Sequence, residues 1–208
     1  MNQGVTISAP NILALDISSR CTGVAEGRAG ESPRLYGVRF AGELDDYADI
    51  FARSLRWTAE RLAVCKFDVV YVEAPRSPGM HGDTNADTTF KLIGLWATIS
   101  SVVIYAGIKC RSVSVKDVRE GFIGARNRPG AVAKSQVIEM CGRLGWSASD
   151  DNEGDAAALW WFACQKEARA LCPVITPMMH HEVATSVENA KILKEQEARK
   201  RKLGRLRV

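Results

Sequence analysis

The chain has 208 residues, 46% of them hydrophobic, and a formal net charge of +4. This length and composition suit one domain of ordinary size with a substantial core. No run of 18 or more apolar residues occurs, and the first ten residues lack the basic start and apolar middle of a signal peptide. The six cysteines are scattered without a CxxC pair, which is typical of reduced thiols. We therefore expect a cytoplasmic protein without a membrane partner.

The charge is unevenly distributed along the chain. Residues 185–208 contain eight Lys or Arg and three Glu, whereas residues 1–184 contain 20 basic and 21 acidic residues. A neutral body with a basic tail fits a polyanionic partner such as nucleic acid. The alternative is that the tail is a solubilising helix or a disordered end.

The first 73 residues predict four strands and one helix. A continuous apolar run predicts a strand at 11–17, and alternating apolar residues predict strands at 23–28 and 35–40. The short polar connections between them predict an antiparallel meander. A 3.6-residue apolar period predicts a helix over 44–64. Residues 68–73 are apolar on both faces, which predicts an interior fourth strand.

The second half of the chain predicts one more strand and several helices. A long Pro- and Gly-containing loop at 74–86 precedes a predicted helix at 88–106, followed by a fifth strand at 109–115. A short helix is predicted at 116–121, longer ones at 131–144 and 153–171, and a charged helix at 187–203 after a linker at 172–179. The small residues of the 88–106 helix suit either a dimer contact or packing on the sheet of the same chain: Gly94, Ala97, Ser100 and Ser101.

Three acidic residues stand where apolar segments begin or end. Asp16 and Glu73 follow two predicted strands, and Asp155 begins the apolar part of a predicted helix. A buried carboxylate is costly without a partner, and one cation can neutralise three of them. The pattern therefore predicts a metal site of the kind that commonly hydrolyses phosphodiesters, with two Mg²⁺ ions as the expected cofactor.

A fourth ligand is expected one helical turn before Asp155. Asp151 and Asn152 lie four and three residues earlier, so each can share a helix face with Asp155. Simpler interpretations exist for every acid, since Asp16 suits a turn, Glu73 suits a surface strand end, and Asp151 suits a helix cap.

The predicted element order is three strands, a helix, a strand, a helix, a strand and then helices. This order is typical of the ribonuclease H-like fold, an α/β fold with a five-stranded mixed sheet flanked by helices. We predict a nuclease domain over residues 1–172, then a linker and basic helical tail over 173–208.

Several segments together resemble the RuvC Holliday junction resolvases, in the form found in phage and prophage members. The first motif is similar to Asp16-Ile-Ser-Ser-Arg-Cys-Thr-Gly23, and the second to Val72-Glu73-Ala74-Pro75. The basic stretch and its following helix resemble Val115-Lys116 and Ala133-Lys134-Ser135-Gln136-Val137. The last acidic motif resembles Asp151-Asn-Glu-Gly-Asp155 with the apolar residues after it.

This resemblance implies a metal-dependent endonuclease that resolves four-way DNA junctions by paired cuts. It implies a homodimer that uses Mg²⁺ or Mn²⁺ in a bacterial or phage-infected cell. It assigns metal binding and catalysis to Asp16, Glu73 and Asp155, with Asp151 or Asn152 as the fourth ligand. It also places Lys116 and Lys134 near the DNA backbone.

Two further basic residues are predicted phosphate contacts from the loop at 125–130, namely Arg126 and Arg128. Other functions remain open at this point. One is a ribonuclease H-like nuclease that acts on flaps, forks or RNA–DNA hybrid. Another is a non-catalytic DNA-binding protein with the same fold.

Overall fold

The five strands of the protein form one mixed sheet in a computed structural model. The model describes residues 9–42, 45–75 and 86–205, with side chains described as far as residue 198. The strands are β1 (Asn11–Asp16), β2 (Thr22–Arg28), β3 (Arg34–Val38), β4 (Val69–Glu73) and β5 (Lys109–Val113). Their order in the sheet is β3-β2-β1-β4-β5.

The directions of the strands bring two of the predicted acids together. β2 pairs antiparallel with both β1 and β3, whereas β1, β4 and β5 run parallel. Leu15 of β1 lies opposite Val72 of β4. Because parallel strands end at the same edge of a sheet, the next residues, Asp16 and Glu73, lie next to each other at that edge.

The described residues form six α-helices: α1 (Tyr47–Val64), α2 (Ala86–Tyr105), α3 (Val115–Ile123), α4 (Gly130–Arg143), α5 (Asp151–Glu167) and α6 (Pro177–Arg205). α1 and α2 enclose one apolar core with one face of β1, β2 and β4. α3, α4 and α5 enclose a second core on the other face, which includes the fully buried Trp160 and Phe122.

The ribonuclease H-like architecture predicted from the element order is confirmed, with a five-stranded mixed sheet between helices. The predicted strand ends are corrected by one to two residues at most positions. α5 begins at Asp151 rather than 153 and ends at Glu167 rather than 171. Residues 76–85 of the predicted loop at 74–86 lie outside the described residues.

The largest correction concerns the C-terminal helix. The predicted start at 187 is wrong, because α6 begins at Pro177, inside the predicted linker. Proline is compatible with the first turn of a helix, where its missing N–H is not needed. Val183 of α6 is buried, and Arg143 of α4 forms an ion pair with Glu182 at 2.6 Å. The first half of α6 therefore packs against α4, while the domain boundary at 172 stays a prediction.

Among the described helices, α2 alone is long and apolar enough to cross a bilayer by length and composition. In the structure it packs against α1, β4 and β5, and it buries Leu95, Ile99 and Val103 in the core. α2 therefore packs on the sheet with one face and leaves the larger part of its apolar surface exposed, and a single helix of this composition is weak evidence for a membrane span.

Candidate metal centre

Asp16 is held in place by the strand that precedes it. Ile12 to Leu15 are fully buried, and Asp16 at the end of β1 is only 8% exposed. It pairs with Gly23 on β2 and has Glu73 beside it on β4. The strand thus positions a carboxylate at the edge of the sheet with little access to water.

Gly23 lets α5 approach this edge closely. A Cβ atom at residue 23 would lie 2.0 Å from the carbonyl oxygen of Asn152, closer than any real contact. On the opposite side of α5, a Cβ at Gly154 would lie 2.8 Å from Cδ1 of Ile138 on α4. The two glycines allow the first turn of α5 to fit between the sheet and α4, which brings Asp155 to the end of β1.

The start of α5 separates a capping acid from the acids available to the site. The Asp150 side chain accepts a hydrogen bond from the Glu153 backbone N–H at 2.9 Å, and Glu153 accepts one from the Ser149 backbone N–H. Asp150 is therefore the N-cap, which leaves Asp151 and Asp155 free of that role. Asp155 lies one turn further along, and its side chain is 12% exposed.

Burial and mutual repulsion disfavour the charged form of these acids. Burial, followed by the charge of Glu73 and a hydrogen bond with Glu73, raises the pKa of Asp16 well above its ordinary value, and Asp155 adds to the effect. Burial, together with the charges of Glu73 and Asp151, raises the pKa of Asp155 to about 6, although Arg119 and Lys134 oppose the increase. The site therefore carries more negative charge than its surroundings stabilise.

Two basic side chains bind the acids of α5. Arg119 of α3 lies 3.5 Å from a carboxylate oxygen of Asp155, and both side chains are 12% exposed. Lys134 of α4 lies 3.2 Å from Asp151, whose side chain is 52% exposed. Sequence reasoning predicted Lys134 but missed Arg119. The available signal was that α3 directly follows β5, whose end lies at the same edge of the sheet.

The other predicted phosphate contacts lie around this edge. Lys116 is exposed in the first turn of α3, and Arg128 is exposed before α4. Arg126 is bound to two acids of α3, Asp117 at 2.7 Å and Glu120 at 2.6 Å. Of the four predicted basic residues, the described contacts bring Lys134 directly to the acids.

The carboxylate groups suit a divalent cation, but the described side chains are not arranged to bind one together. Within the described ranges, no three Asp, Glu, His or Cys side chains are placed so that they ligate one ion together. Asp155 and Asp151 each lie against a basic side chain, so joint ligation with Asp16 and Glu73 requires them to rotate. The donor set itself is carboxylate oxygen, which Mg²⁺ prefers, and the buried Asp16 has two acids among its charged neighbours.

The fold is similar to solved structures of junction resolvases. Thermus thermophilus RuvC aligns with a TM-score of 0.55 and 17% identity, covering 72% of this chain and 90% of that one. T. thermophilus RuvC in complex with a Holliday junction substrate gives a TM-score of 0.57 at 14% identity, covering 72% and 89%. The yeast mitochondrial Holliday junction resolvase Ydc2 gives 0.52 at 13% identity, covering 79% and 84%.

No protein-family model and no curated protein matches the sequence. At identities of 13–17%, the structural likeness establishes the fold. The chain therefore has the ribonuclease H-like fold of RuvC, with four acidic side chains around the ends of β1 and β4 and the start of α5.

Proposed function

We propose that the protein is a metal-dependent endonuclease that resolves four-way DNA junctions by paired cuts. The observation that supports this most directly is the convergence of Asp16, Glu73 and Asp155 at one edge of a RuvC-type sheet. Buried acids with raised pKa values in a cleft are frequent at functional sites. One solved neighbour is RuvC in complex with a Holliday junction substrate, which makes branched DNA the first substrate to test.

Each acid has a proposed role in holding Mg²⁺, for which Mn²⁺ can substitute. Asp16 lies between Glu73 and the start of α5, so it would be the ligand shared by two ions. Glu73 would hold one ion and Asp155 the other, with Asp151 as the fourth ligand and Asn152 as the alternative. Two such ions supply a nucleophilic water and neutralise charge on the phosphate.

The basic residues have a separate role at the DNA backbone. Lys134 lies against Asp151, and its charge lowers the pKa of both Asp16 and Asp155, so it is near the reacting phosphate in this proposal. Lys116 and Arg128 are exposed for contacts further out, whereas Arg126 must first leave its two acidic partners. Phosphate contacts of this kind position the substrate without reading its sequence.

A homodimer is part of the proposal, and α2 is its candidate interface. Two of the four predicted small residues pack inside the chain, since Ser100 is buried and Gly94 lies against Phe51. The outward face of α2 instead has exposed apolar residues, among them Ile93 at 39% and Ile104 at 64%. An apolar stripe along one helix suits pairing with the same stripe of a second copy about a two-fold axis.

The deciding experiment is cleavage of a labelled synthetic four-way junction beside linear duplex, flap and RNA–DNA hybrid. Each substrate is incubated with Mg²⁺, Mn²⁺ or EDTA, and the variants Glu73→Gln and Glu60→Gln are compared. Glu60 is an exposed acid on α1, so its variant controls for the loss of one carboxylate. We expect metal-dependent paired nicks in the junction with the wild type and the control, and none with Glu73→Gln.

The remaining outcomes are equally informative. Cutting of flaps or hybrid in preference to the junction would support the acidic site as catalytic and would identify a different substrate. Binding of the junction without cutting in any metal would contradict the enzyme and favour a DNA-binding protein with the same fold.

A further inference from the structure

The second half of α6 extends away from the helix on which the first half packs. From Glu188 to Ala198 every residue is exposed, although the helix continues to Arg205. We call residues 190–205 the α6 arm. At a rise of 1.5 Å per residue, sixteen helical residues extend over about 24 Å.

The direction of α6 is set by its contacts with α4. Glu182 pairs with Arg143 in the last turn of α4. Further along α6, Val187, Glu188 and Asn189 line a groove with Arg128, Val132 and Gln136 in and before the first two turns of α4. α6 therefore crosses α4 from its C-terminal end towards its N-terminal end. That end of α4 includes Lys134, which contacts the acidic site.

The α6 arm is strongly basic. It contains seven Lys or Arg and two Glu, whereas residues 1–184 are close to neutral. Lys191 and Lys194 are exposed, and neither forms an ion pair with another of the described side chains. Along duplex DNA, 24 Å is the length of about seven base pairs, and each strand has one phosphate per about 3.4 Å.

We infer that the α6 arm binds the phosphate backbone of a duplex arm of the DNA substrate, next to the crossover at which the acids act. This inference rests on the proposed function and names a second contact for the same substrate. Arg128 lines the same groove as Asn189, the residue before the arm, and the exposed Lys191 and Lys194 follow along the helix. Because the contact is electrostatic, it adds affinity for any duplex and does not distinguish a junction from linear DNA.

The test is equilibrium binding measured against salt concentration in EDTA, on a four-way junction and on linear duplex. The double variant K191Q/K194Q is compared with R56Q/K66Q, which removes two exposed positive charges from α1 and the turn after it. We expect K191Q/K194Q to reduce the slope of log K against log salt by about two on both DNAs, and the control to leave it unchanged. A truncated chain that ends at Asn189 keeps the contacts of Glu182 and Val183, and it should lose more of the slope.

Several results would overturn the inference. An unchanged slope in the truncated chain would show that the arm does not contact phosphates. Loss of affinity for the junction alone would place the arm at the crossover rather than on a duplex. A change in oligomeric state without a change in slope would make the arm a protein contact. Since binding in EDTA needs no cleavage, absence of cutting would contradict the proposed function and leave this result intact.

Discussion

Two buried acids on neighbouring strands of the same sheet, Glu26 and Asp16, have different surroundings. Glu26 on β2 is 5% exposed and accepts hydrogen bonds from Arg61 and from the Tyr36 hydroxyl, the latter at 3.2 Å, with Arg34 at 3.7 Å. Asp16 on β1 is 8% exposed and hydrogen-bonded to another acid, Glu73. One acid is surrounded by donors and positive charge, and the other by further negative charge.

This contrast separates a structural acid from a functional one. A buried carboxylate whose charge is matched by a guanidinium has no need for an outside partner, since its desolvation is already offset. A buried carboxylate beside two more acids has a raised pKa and gains most from an added cation. Burial alone therefore does not identify a metal ligand, but burial with unmatched charge does.

Asp16→Asn is the change with the largest expected effect on this contrast. It removes the proposed shared ligand, so we expect junction cleavage to fall by on the order of 10³-fold or more. Junction binding should persist or improve, because a repulsive charge next to the phosphate is lost. Single-turnover cleavage and fluorescence anisotropy measure the two effects, and a variant that cuts at the wild-type rate would remove Asp16 from the metal site.

Glu26→Gln tests the acid whose charge is matched by Arg61, and it should lower stability rather than the cleavage rate. Arg61 would keep its buried charge without a carboxylate, which costs about 3 kcal/mol in free energy of unfolding. Urea denaturation measures this loss, while the cleavage rate per folded molecule should stay within a few-fold of wild type. Burial and then the charge of Glu26 raise the pKa of Tyr36 to about 12, so the tyrosine absorbance should titrate at lower pH in the variant. Unaltered stability would show that Glu26 is not the structural acid.

The sequence was sufficient to predict the fold and to place three acids at the ends of buried segments, because both depend on local patterns. β1 and β4 are continuous apolar runs, which mark buried strands, and the acid that ends each of them is visible in the sequence. The position of Asp155 also follows locally, since it lies one turn inside a capped helix.

The charges that surround the acids could not be predicted in the same way. Arg119 and Asp155 are 36 residues apart in sequence and meet only because α3 and α5 pack on the same face of the sheet. The start of α6 was missed because Pro177 and the polar residues after it suggest a linker, whereas burial of Val183 against the body stabilises the helix. Tertiary packing overrode local propensity in both cases.

Asp155→Asn uses pH to measure how much of the Asp155 charge remains uncompensated by Arg119. The pKa of Asp155 is about 6 in the folded protein against an ordinary value of 3.8, so the folded state loses stability as pH rises from about 4 through 6. Asparagine carries no charge, so in EDTA the variant should be more stable than wild type by about 3 kcal/mol above pH 6. The two proteins should converge below pH 4. Thermal unfolding across this range measures the difference, and parallel curves would show that burial does not disfavour the Asp155 charge.

Asp151→Asn and Asn152→Ala decide the fourth ligand and should have the smallest effects. Asp151 is half exposed and forms an ion pair with Lys134. Its charge is therefore partly compensated, unlike that of Asp16, but it is not buried as Glu26 is. Its charge raises the pKa of Asp155, so the two carboxylates are electrostatic neighbours, whereas the Asn152 backbone packs against Gly23. We therefore expect Asp151→Asn to raise the Mg²⁺ concentration needed for half-maximal cleavage by about tenfold, roughly 1.4 kcal/mol, and Asn152→Ala to leave it within twofold. The reverse order would assign the ligand to Asn152 and make the Asp151–Lys134 pair a surface contact.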